Sequence, residues 1–382
     1  MNYDIFIFAG EPSGDLHGEA LIQEIRKKDP SLKIAAVAGP RMRALGIDCI
    51  LPMEEFQVMG FFDVFCALPR LIKHFYSIGK QILAMNPRSA IFIDYPGFNL
   101  RMEKYLKKRG FKAELIHYIC PSVWVHGKGR IKTMERSLSQ LLCILPFEKL
   151  CFEGSSLPVT YVGHPLVTRI KEHEFIPIED LVDKKVVAIF PGSRSKEIDR
   201  NMPFYAGLIK DLMGKDKHLH FAISTARPSL VSKIEQILSA YGLDNKQRIS
   251  FIQAGRTYDL MNMAYIAIAK SGTVTLELAL HKVPTVVTYG ATRLDIFIAQ
   301  HILRVDLPYY SLPNILAGRK IFAELIGPKL TPQALLQEAT SLLDPHQHTL
   351  CQDSCHDIIT ILGEKNASKE VADVLLSGIS PL

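Results

Sequence analysis

Short apolar runs alternate with amphipathic helical stretches along most of the chain, and this alternation limits the fold more than any other feature. Strand-like runs are predicted at 5–9, 34–38, 90–94, 114–119, 141–145 and 160–162, and again at 186–190, 220–224, 250–252, 266–269 and 285–288. Such a pattern is typical of parallel sheets that helices cover on both faces. We therefore expect an α/β protein with two doubly wound, Rossmann-like sheets.

A charged stretch with Pro177 separates the two series, and we place a linker at residues 172–184. The predicted domains are residues 1–171 and 185–330. Residues 331–382 are predicted to be helices that bridge back to the N-terminal domain or are exchanged in a dimer. Two doubly wound domains facing a cleft form the GT-B architecture, which is common among nucleotide-sugar glycosyltransferases.

Composition excludes several classes of protein. The 382 residues carry a formal net charge of +6 without a basic tract, so nucleic acid is not an expected partner. The chain shows no signal peptide, no apolar run long enough to span a bilayer and no paired cysteines, which predicts a cytoplasmic protein. The glycine spacings of dinucleotide-binding and P-loop proteins are also missing.

Metal and cofactor binding are not expected either. No Asp-x-Asp pair is present to hold a divalent ion on a diphosphate. His348, Cys351, Cys355 and His356 have helix-compatible spacing, but the spacing matches no familiar zinc signature and favours an ordinary polar helix.

Two strand-to-helix corners in the second half predict a site for a nucleoside diphosphate. An apolar strand runs into Gly192, Ser193 and Arg194, and another runs into Ser271, Gly272 and Thr273. Unpaired N–H groups and the helix dipole favour anions at such corners. One turn further on, Glu277 is placed to accept from ribose hydroxyls. Asn314 follows the last strand and is either a ligand of the nucleotide or a brace for its loop.

Two loops of the first half carry candidate catalytic groups. The first strand ends in a glycine-bearing turn with Glu11 and Ser13, and the strand near residue 92 ends in Asp94. A carboxylate at the edge of a sheet can act as a general base towards a sugar hydroxyl. Asp94 as a helix cap or loop anchor, and Ser13 as a helix cap, are the structural alternatives.

The segment from residue 56 to residue 78 is rich in phenylalanine and has basic residues between the aromatic ones. This composition suits a surface that faces a membrane or acyl chains, with a buried core helix as the alternative. The candidate lipid-facing residues are Val58, Met59, Phe61, Phe62, Phe65, Leu68, Arg70, Leu71 and Lys73.

Ten short motifs in order along the chain resemble the lipid-A-disaccharide synthase family. They are GEPSGD, AGPRM, VMGFFDV, IDYPGFN, PSVW, LPFE, VGHP, PGSR, SGT..LE and SLPNILAGR. The resemblance covers nearly the whole chain. It implies an inverting GT-B glycosyltransferase that joins UDP-2,3-diacylglucosamine to 2,3-diacylglucosamine 1-phosphate (lipid X). The products would be a β-1,6-linked disaccharide 1-phosphate and UDP.

The resemblance also implies roles for individual residues. Asp94 matches the family's essential carboxylate, Arg194 matches its essential arginine, and Asn314 matches a further functional position. Gly97 stands where the family commonly has a second acid, so any role of that acid is absent here. The N-terminal domain would take the lipid acceptor and the C-terminal domain the UDP-sugar. The family further implies a homodimer at the inner face of the cytoplasmic membrane.

Two rival functions remain open at this point. A UDP-sugar 2-epimerase, or a transferase with a soluble acceptor, would use the nucleotide corner in the same way. A carrier of lipid or nucleotide would keep the fold without the chemistry. The phenylalanine-rich segment discriminates against a soluble acceptor, and release of UDP discriminates against a carrier.

Overall fold

The computed structural model describes residues 3–56, 61–125, 127, 129–244, 248–292 and 307–379, with the side chains of 61–67 left undescribed. The chain divides into two compact units. The first contains residues 1–168 and 364–382, and the second contains residues 169–363.

The first unit is a parallel seven-stranded sheet in the order β3-β2-β1-β4-β5-β6-β7. The strands are β1 (Ile5–Ala9), β2 (Ile34–Ala38), β3 (Asp48–Pro52), β4 (Ser89–Ile93), β5 (Glu114–Tyr118), β6 (Gln140–Cys143) and β7 (Val159–Tyr161). The helices are α1 (Pro12–Lys28), α2 (Pro40–Ala44), α3 (Phe61–Met85), α4 (Pro96–Lys108), α5 (Gly129–Ser137) and α6 (Pro165–Lys171), the last of which extends into the second unit. Buried apolar side chains form a core on each face of the sheet.

The second unit is a parallel sheet in the order β10-β9-β8-β11-β12-β13. Its strands are β8 (Lys185–Phe190), β9 (Leu219–Thr225), β10 (Ile249–Gln253), β11 (Ala264–Lys270), β12 (Thr285–Tyr289) and β13 (Ala323–Ile326). Its helices are α7 (Ser195–Lys215), α8 (Val231–Ala240), α9 (Thr257–Met263), α10 (Thr273–Leu280), α11 (Leu312–Ala317), α12 (Pro332–Leu343) and α13 (Pro345–Leu362). The predicted helix after residue 293 lies outside the described residues.

The C-terminal helices divide between the two units. Helices α12 and α13 pack on the second unit, whereas α14 (Ala367–Ile379) packs on α1 and β4 of the first unit. Val371, Leu375 and Ile379 of α14 are buried in the same core as Leu21 and Ile25 of α1. The return to the first unit therefore begins near residue 364, not at residue 331.

The predicted linker at residues 172–184 is a fixed part of the second unit. Asp259 accepts hydrogen bonds from the backbone N–H of Ile176 and pairs with the ring of His173, both at 3.0 Å. Leu181 is fully buried in the core of that unit. These contacts explain why charge and Pro177 alone gave a misleading boundary.

The strand order reverses direction at one point in each sheet. In the first sheet the reversal lies between β1 and β4, and in the second it lies between β8 and β11. Loops at the carboxyl ends of such strands are where open α/β sheets bind ligands. Both doubly wound sheets are thus confirmed, and each presents its predicted site loops at this point.

No helix in the described parts of the chain is both long and apolar enough to cross a membrane.

Candidate functional site

A cavity of about 350 Å³ lies in the second unit, at the reversal point between β8 and β11. It is lined by residues at the carboxyl ends of the four strands β8 to β11 and in the segments that follow them: Phe190, Pro191, Gly192, Ser193, Arg194, Glu197, Ser224, Ala226, Thr257, Lys270, Ser271, Gly272, Thr273 and Val274. The structure therefore brings together the two corners that the sequence predicted to bind a diphosphate.

The loop after β8 is held by a single carboxylate. Oε2 of Glu197 accepts from the backbone N–H of Ser193 at 2.9 Å and from that of Arg194 at 3.3 Å. Gly192 has φ +111°, and a Cβ there would lie 2.5 Å from Glu197 Oε2. Only glycine allows this backbone conformation together with such a close approach.

Two cations belong to the same corner. Lys270 Nζ lies 3.2 Å from Glu197 Oε1, and its side chain is only 19% exposed. The guanidinium of Arg194 lies 3.6 Å from Glu197 Oε1 and is 79% exposed. Burial raises the pKa of Glu197, but Lys270 and the N–H donors of Ser193 and Arg194 outweigh that effect and hold the pKa below its usual value. The corner therefore contains a charged carboxylate and two cations, one of which extends into solvent.

The second corner is the N-terminus of α10. Gly272 precedes the helix, and Thr275 donates from its hydroxyl to Gly272 O at 2.8 Å. Ser271 N–H is used by the sheet, where it donates to Thr288 O at 2.8 Å. The first turn of α10 thus directs its helix dipole at the cavity, which favours a bound anion.

Glu277 and Asn314 do not line this cavity. Glu277 Oε1 accepts from Tyr258 Oη at 3.1 Å and from Arg169 Nη2 at 3.3 Å. Burial raises the pKa of Glu277, and Arg169 and Tyr258 offset only part of the rise. Both of these contacts use Oε1, and the contact of Glu277 with a ribose stays a prediction.

Asn314 is buried and holds its own loop. Its Oδ1 accepts from the backbone N–H of Ile321 and Phe322, each at 2.8 Å, while Nδ2 donates to Phe322 O at 2.9 Å and to Glu324 Oε1 at 2.8 Å. All four positions of the amide are occupied. Asn314 therefore braces its loop, and its predicted role as a ligand of the nucleotide stays a prediction.

In the first unit, Asp94 follows β4 at the sheet's reversal point. Asp94 and Tyr95 have φ +49° and +46°, a region that non-glycine residues rarely adopt. Asn99 stabilises this turn by donating from Nδ2 to Asp94 O at 2.6 Å and to Ile93 O at 3.2 Å. A strained turn that the surroundings hold in place is a frequent property of functional sites.

The electrostatics of Asp94 suit a general base. Burial raises the pKa of its carboxyl, and the charge of His117 and the backbone N–H of Tyr95 oppose the rise. Glu11, in the turn after β1, has its pKa raised by partial burial and by repulsion from Asp94. The charge of Asp94 thus acts on Glu11, whose turn follows the neighbouring strand β1.

Two further polar residues, Ser13 and Asp15, lie at the start of α1, directly after the turn that carries Glu11. Ser13 is exposed in the first turn of α1. Asp15, by contrast, is buried and accepts from the backbone N–H of Arg41 at 2.9 Å and of Met42 at 3.2 Å. Asp15 thus joins two segments of the core, and Ser13 is left as the accessible hydroxyl of the turn.

An exposed apolar stripe runs along α3. Leu68, Ile72 and Tyr76 are 47, 48 and 49% exposed and lie four residues apart, on one face of the helix. Arg70 and Lys73 are exposed near the stripe, whereas Leu71 is half-buried against the core. Of the other predicted lipid-facing residues, Val58 and Met59 lie outside the described part of the chain, as do the side chains of Phe61, Phe62 and Phe65.

The four histidine and cysteine residues of α13 do not face one another as a set. Cys351 and Cys355 are buried, and His348 stacks on Tyr265 with the ring centroids 4.0 Å apart. His356 is exposed.

Sequence reasoning missed Glu197 and Lys270. An acid at the third position of a helix that follows a Gly-Ser corner is a signal for a capping interaction with the corner's own N–H groups. Lys270 is the last residue of its strand, which is where a parallel sheet presents ligand-binding groups.

Comparison with solved structures shows the fold. A putative UDP-N-acetylglucosamine 2-epimerase from Listeria monocytogenes superposes with a TM-score of 0.68 at 14% identity, covering 100% of this chain and 97% of that one. The UDP-GlcNAc 2-epimerase from Neisseria meningitidis bound to UDP-GlcNAc gives a TM-score of 0.62 at 13% identity, covering 99% and 100%. At this identity the likeness concerns architecture alone.

Comparison of sequences is more specific. Lipid-A-disaccharide synthase of Chlamydia trachomatis serovar D is 38% identical over 373 residues, which are 95% of this chain and 60% of the relative. The chain thus spans only about 60% of the length of its chlamydial relatives. The enzyme of Idiomarina loihiensis is 33% identical over 98% of this chain and 97% of its own. The family model described as Lipid-A-disaccharide synthetase matches residues 5–375. The chain belongs to the lipid-A-disaccharide synthase family.

Proposed function

We propose that this protein joins UDP-2,3-diacylglucosamine to 2,3-diacylglucosamine 1-phosphate (lipid X). The products are lipid A disaccharide 1-phosphate, with a β-1,6 link, and UDP. The observation that carries the proposal is the cavity between the loops after β8 and β11, where Lys270, Arg194 and the start of α10 meet. Membership of the family supports the choice of acylated sugars as substrates.

The cavity suits a diphosphate leaving group. The N-terminus of α10 offers N–H donors, Lys270 is a partly buried cation, and Arg194 is an exposed one that can close on a ligand. These groups stabilise the charge that develops on UDP as the glycosidic bond to the donor sugar breaks. Because they supply the positive charge, we propose that the reaction needs no metal ion.

Asp94 is the proposed general base. It accepts the proton of the acceptor's 6-hydroxyl while that oxygen attacks the anomeric carbon and UDP leaves. A single displacement of this kind inverts the anomeric configuration and gives the β-linked product. Glu11 and Ser13, in the turn after β1, are the proposed neighbours that orient the acceptor.

The exposed apolar stripe of α3 supports a peripheral membrane location. Leu68, Ile72 and Tyr76 can enter the acyl region while Arg70 and Lys73 meet phosphate groups of the lipids. We propose the inner face of the cytoplasmic membrane, where the acceptor lipid would be available.

A homodimer is also part of the proposal, and sedimentation equilibrium measures the oligomeric state directly.

One alternative function is that of a UDP-sugar 2-epimerase. It is considered because solved 2-epimerases share the fold. Such an enzyme would use the same cavity. It would have no need of the exposed apolar stripe of α3, which is the feature that favours a lipid substrate.

The test is to incubate the purified protein with both acylated sugars in EDTA and to analyse the mixture by mass spectrometry. We expect equal amounts of UDP and the disaccharide 1-phosphate. A donor epimerised at C2 would identify the rival enzyme, and intact substrates at high protein concentration would identify a carrier. Dependence on added Mg²⁺ would contradict only the proposal that the reaction needs no metal ion.

A further inference from the structure

A buried pair of ionisable residues lies behind the proposed base. Nδ1 of His117, on β5, is 2.6 Å from Oε1 of Glu103, on α4, and the two side chains are 0 and 1% exposed. His117 Nε2 and Glu103 Oε2 are buried without a hydrogen-bond partner among the described residues. Burial of such a pair costs desolvation energy, and apolar residues of similar volume often replace it without loss of stability. The fold therefore gives no sufficient reason for these two residues.

The register of β4 and β5 relates this pair to Asp94. His117 is the register partner of Phe92, and Asp94 is two residues beyond Phe92. With ordinary strand spacing and rise, the Cα atoms of His117 and Asp94 are then about 8 Å apart. The backbone connects them too, since Asp94 N donates to Tyr118 O at 2.8 Å. The charge of His117 is one of the influences on the carboxyl group of Asp94.

Glu103 fixes the orientation of the imidazole. Its Oε1 lies 2.6 Å from Nδ1, so the two side chains share one hydrogen bond and the ring cannot turn freely. Nε2, the other ring nitrogen, has no hydrogen-bond partner among the described residues. We propose that His117, fixed by Glu103, is a positioning residue that keeps Asp94 ionised and ready to accept the proton of the sugar hydroxyl. This role rests on the proposed function.

The other titratable groups around Asp94 act in the opposite direction or not at all. Glu11 approaches from the turn after β1 and, when charged, repels the carboxylate. Tyr95 is adjacent in sequence, and burial together with Glu11 raises the pKa of its hydroxyl, which leaves it neutral. Around the ring of His117, the strand partners Phe92 and Leu141 are apolar, and Glu103 is the charged contact from α4. Among these titratable groups His117 is thus the one that favours the charged form of Asp94, and the backbone N–H of Tyr95 acts in the same direction.

The test is the pH profile of kcat/KM for wild type, His117→Gln and Glu103→Gln, measured as UDP release. We expect His117→Gln to move the acidic limb to higher pH by about one unit, which lowers kcat/KM about tenfold on that limb. Glu103→Gln should move it in the same direction by less. Well above the limb, where Asp94 is ionised in every variant, the rates should return to within a few-fold of wild type.

The pH profiles distinguish a positioning role of the pair from a purely structural one. If both variants lower kcat/KM by one factor at every pH, the pair is structural and the inference is overturned. Circular dichroism checks folding, and the near-isosteric Glu103→Gln decides the matter alone if His117→Gln does not fold. Ser89→Ala, which removes another buried polar group of the first unit, is the control and should leave the limb in place. If wild type makes no disaccharide at any pH, the proposed function has failed instead.

Discussion

Lys270 Nζ lies 3.2 Å from Glu197 Oε1 in the wall of the cavity, and the other oxygen of Glu197 holds the N–H groups of Ser193 and Arg194. The cation that the proposed diphosphate ligand needs is therefore in place before the ligand binds. Its position costs little further ordering on binding, which favours affinity.

Lys270→Ala should weaken the binding of UDP about 10- to 100-fold, because one charge-assisted contact is lost and Glu197 then repels the diphosphate. Isothermal titration calorimetry measures the effect. Lys210, on the exposed face of α7, gives a matched control, and Lys210→Ala should bind UDP as wild type does. An unchanged Kd in Lys270→Ala would mean that UDP binds elsewhere.

Asn314→Ala should lower the free energy of unfolding by about 2–4 kcal/mol, because it leaves buried partners on Ile321, Phe322 and Glu324 without hydrogen bonds. Urea denaturation measures the loss. Gln337→Ala, at an exposed amide on α12, should have little effect. If Asn314→Ala instead kept full stability and lost affinity for UDP, the assignment of this residue as a brace would be wrong.

Glu148 predicts a pH dependence of stability. Burial raises its pKa from 4.5 to about 7, although the backbone N–H of Leu145 donates to its Oε2 at 3.1 Å. The native state then binds more protons than the unfolded state between these values, so its stabilising contribution is complete below pH 4.5 and is lost as the pH rises to about 7.

The loss amounts to about 3 kcal/mol, and Glu148→Gln should abolish it. Urea denaturation at pH 5 and pH 7.5 gives the change in the free energy of unfolding with pH for wild type and for Glu148→Gln. The difference between the two changes isolates Glu148 from other titrating groups. Equal changes in wild type and variant would show that this carboxyl titrates normally.

The exposed apolar stripe predicts membrane binding. Leu68→Glu with Ile72→Glu should reduce binding to anionic phospholipid vesicles at least tenfold, since each apolar side chain contributes about 1–3 kcal/mol when buried. Vesicle co-sedimentation measures the bound fraction. Leu150 is 64% exposed elsewhere in the first unit, and Leu150→Glu should bind as wild type does. Equal loss in all variants would indicate a charge effect without a specific surface.

The sequence predicted the architecture well because buried parallel strands leave a strong local signal. Runs such as Ile5–Ala9 and Ile34–Ala38 consist entirely of apolar residues and match the observed strands. β3 was missed because Asp48 and Pro52 flank its apolar centre and the strand is only partly buried, so its composition resembles a loop. β13 was missed for a similar reason, since Glu324 interrupts Ala323–Ile326.

The site was predictable in its loops but not in its side-chain directions. Glycine and serine after a strand identify a corner, which is why Gly192 and Ser271 were found. Whether Asn314 points into the cavity or into its own loop depends on Ile321, Phe322 and Glu324, and no local pattern encodes that choice. An acid such as Glu197 is not itself a ligand for an anion; here it holds the N–H donors and Lys270 in position.

The central claim is that Asp94 removes the proton from the acceptor while the second unit holds UDP. The turnover of Asp94→Asn, measured as UDP released at saturating concentrations of both acylated sugars, tests it most directly. The variant keeps the shape of the side chain, so the Kd for UDP should stay at the wild-type value while kcat falls about 100- to 10,000-fold. Turnover close to that of wild type, with UDP binding intact, would contradict the claim and move the search for the base to Glu11.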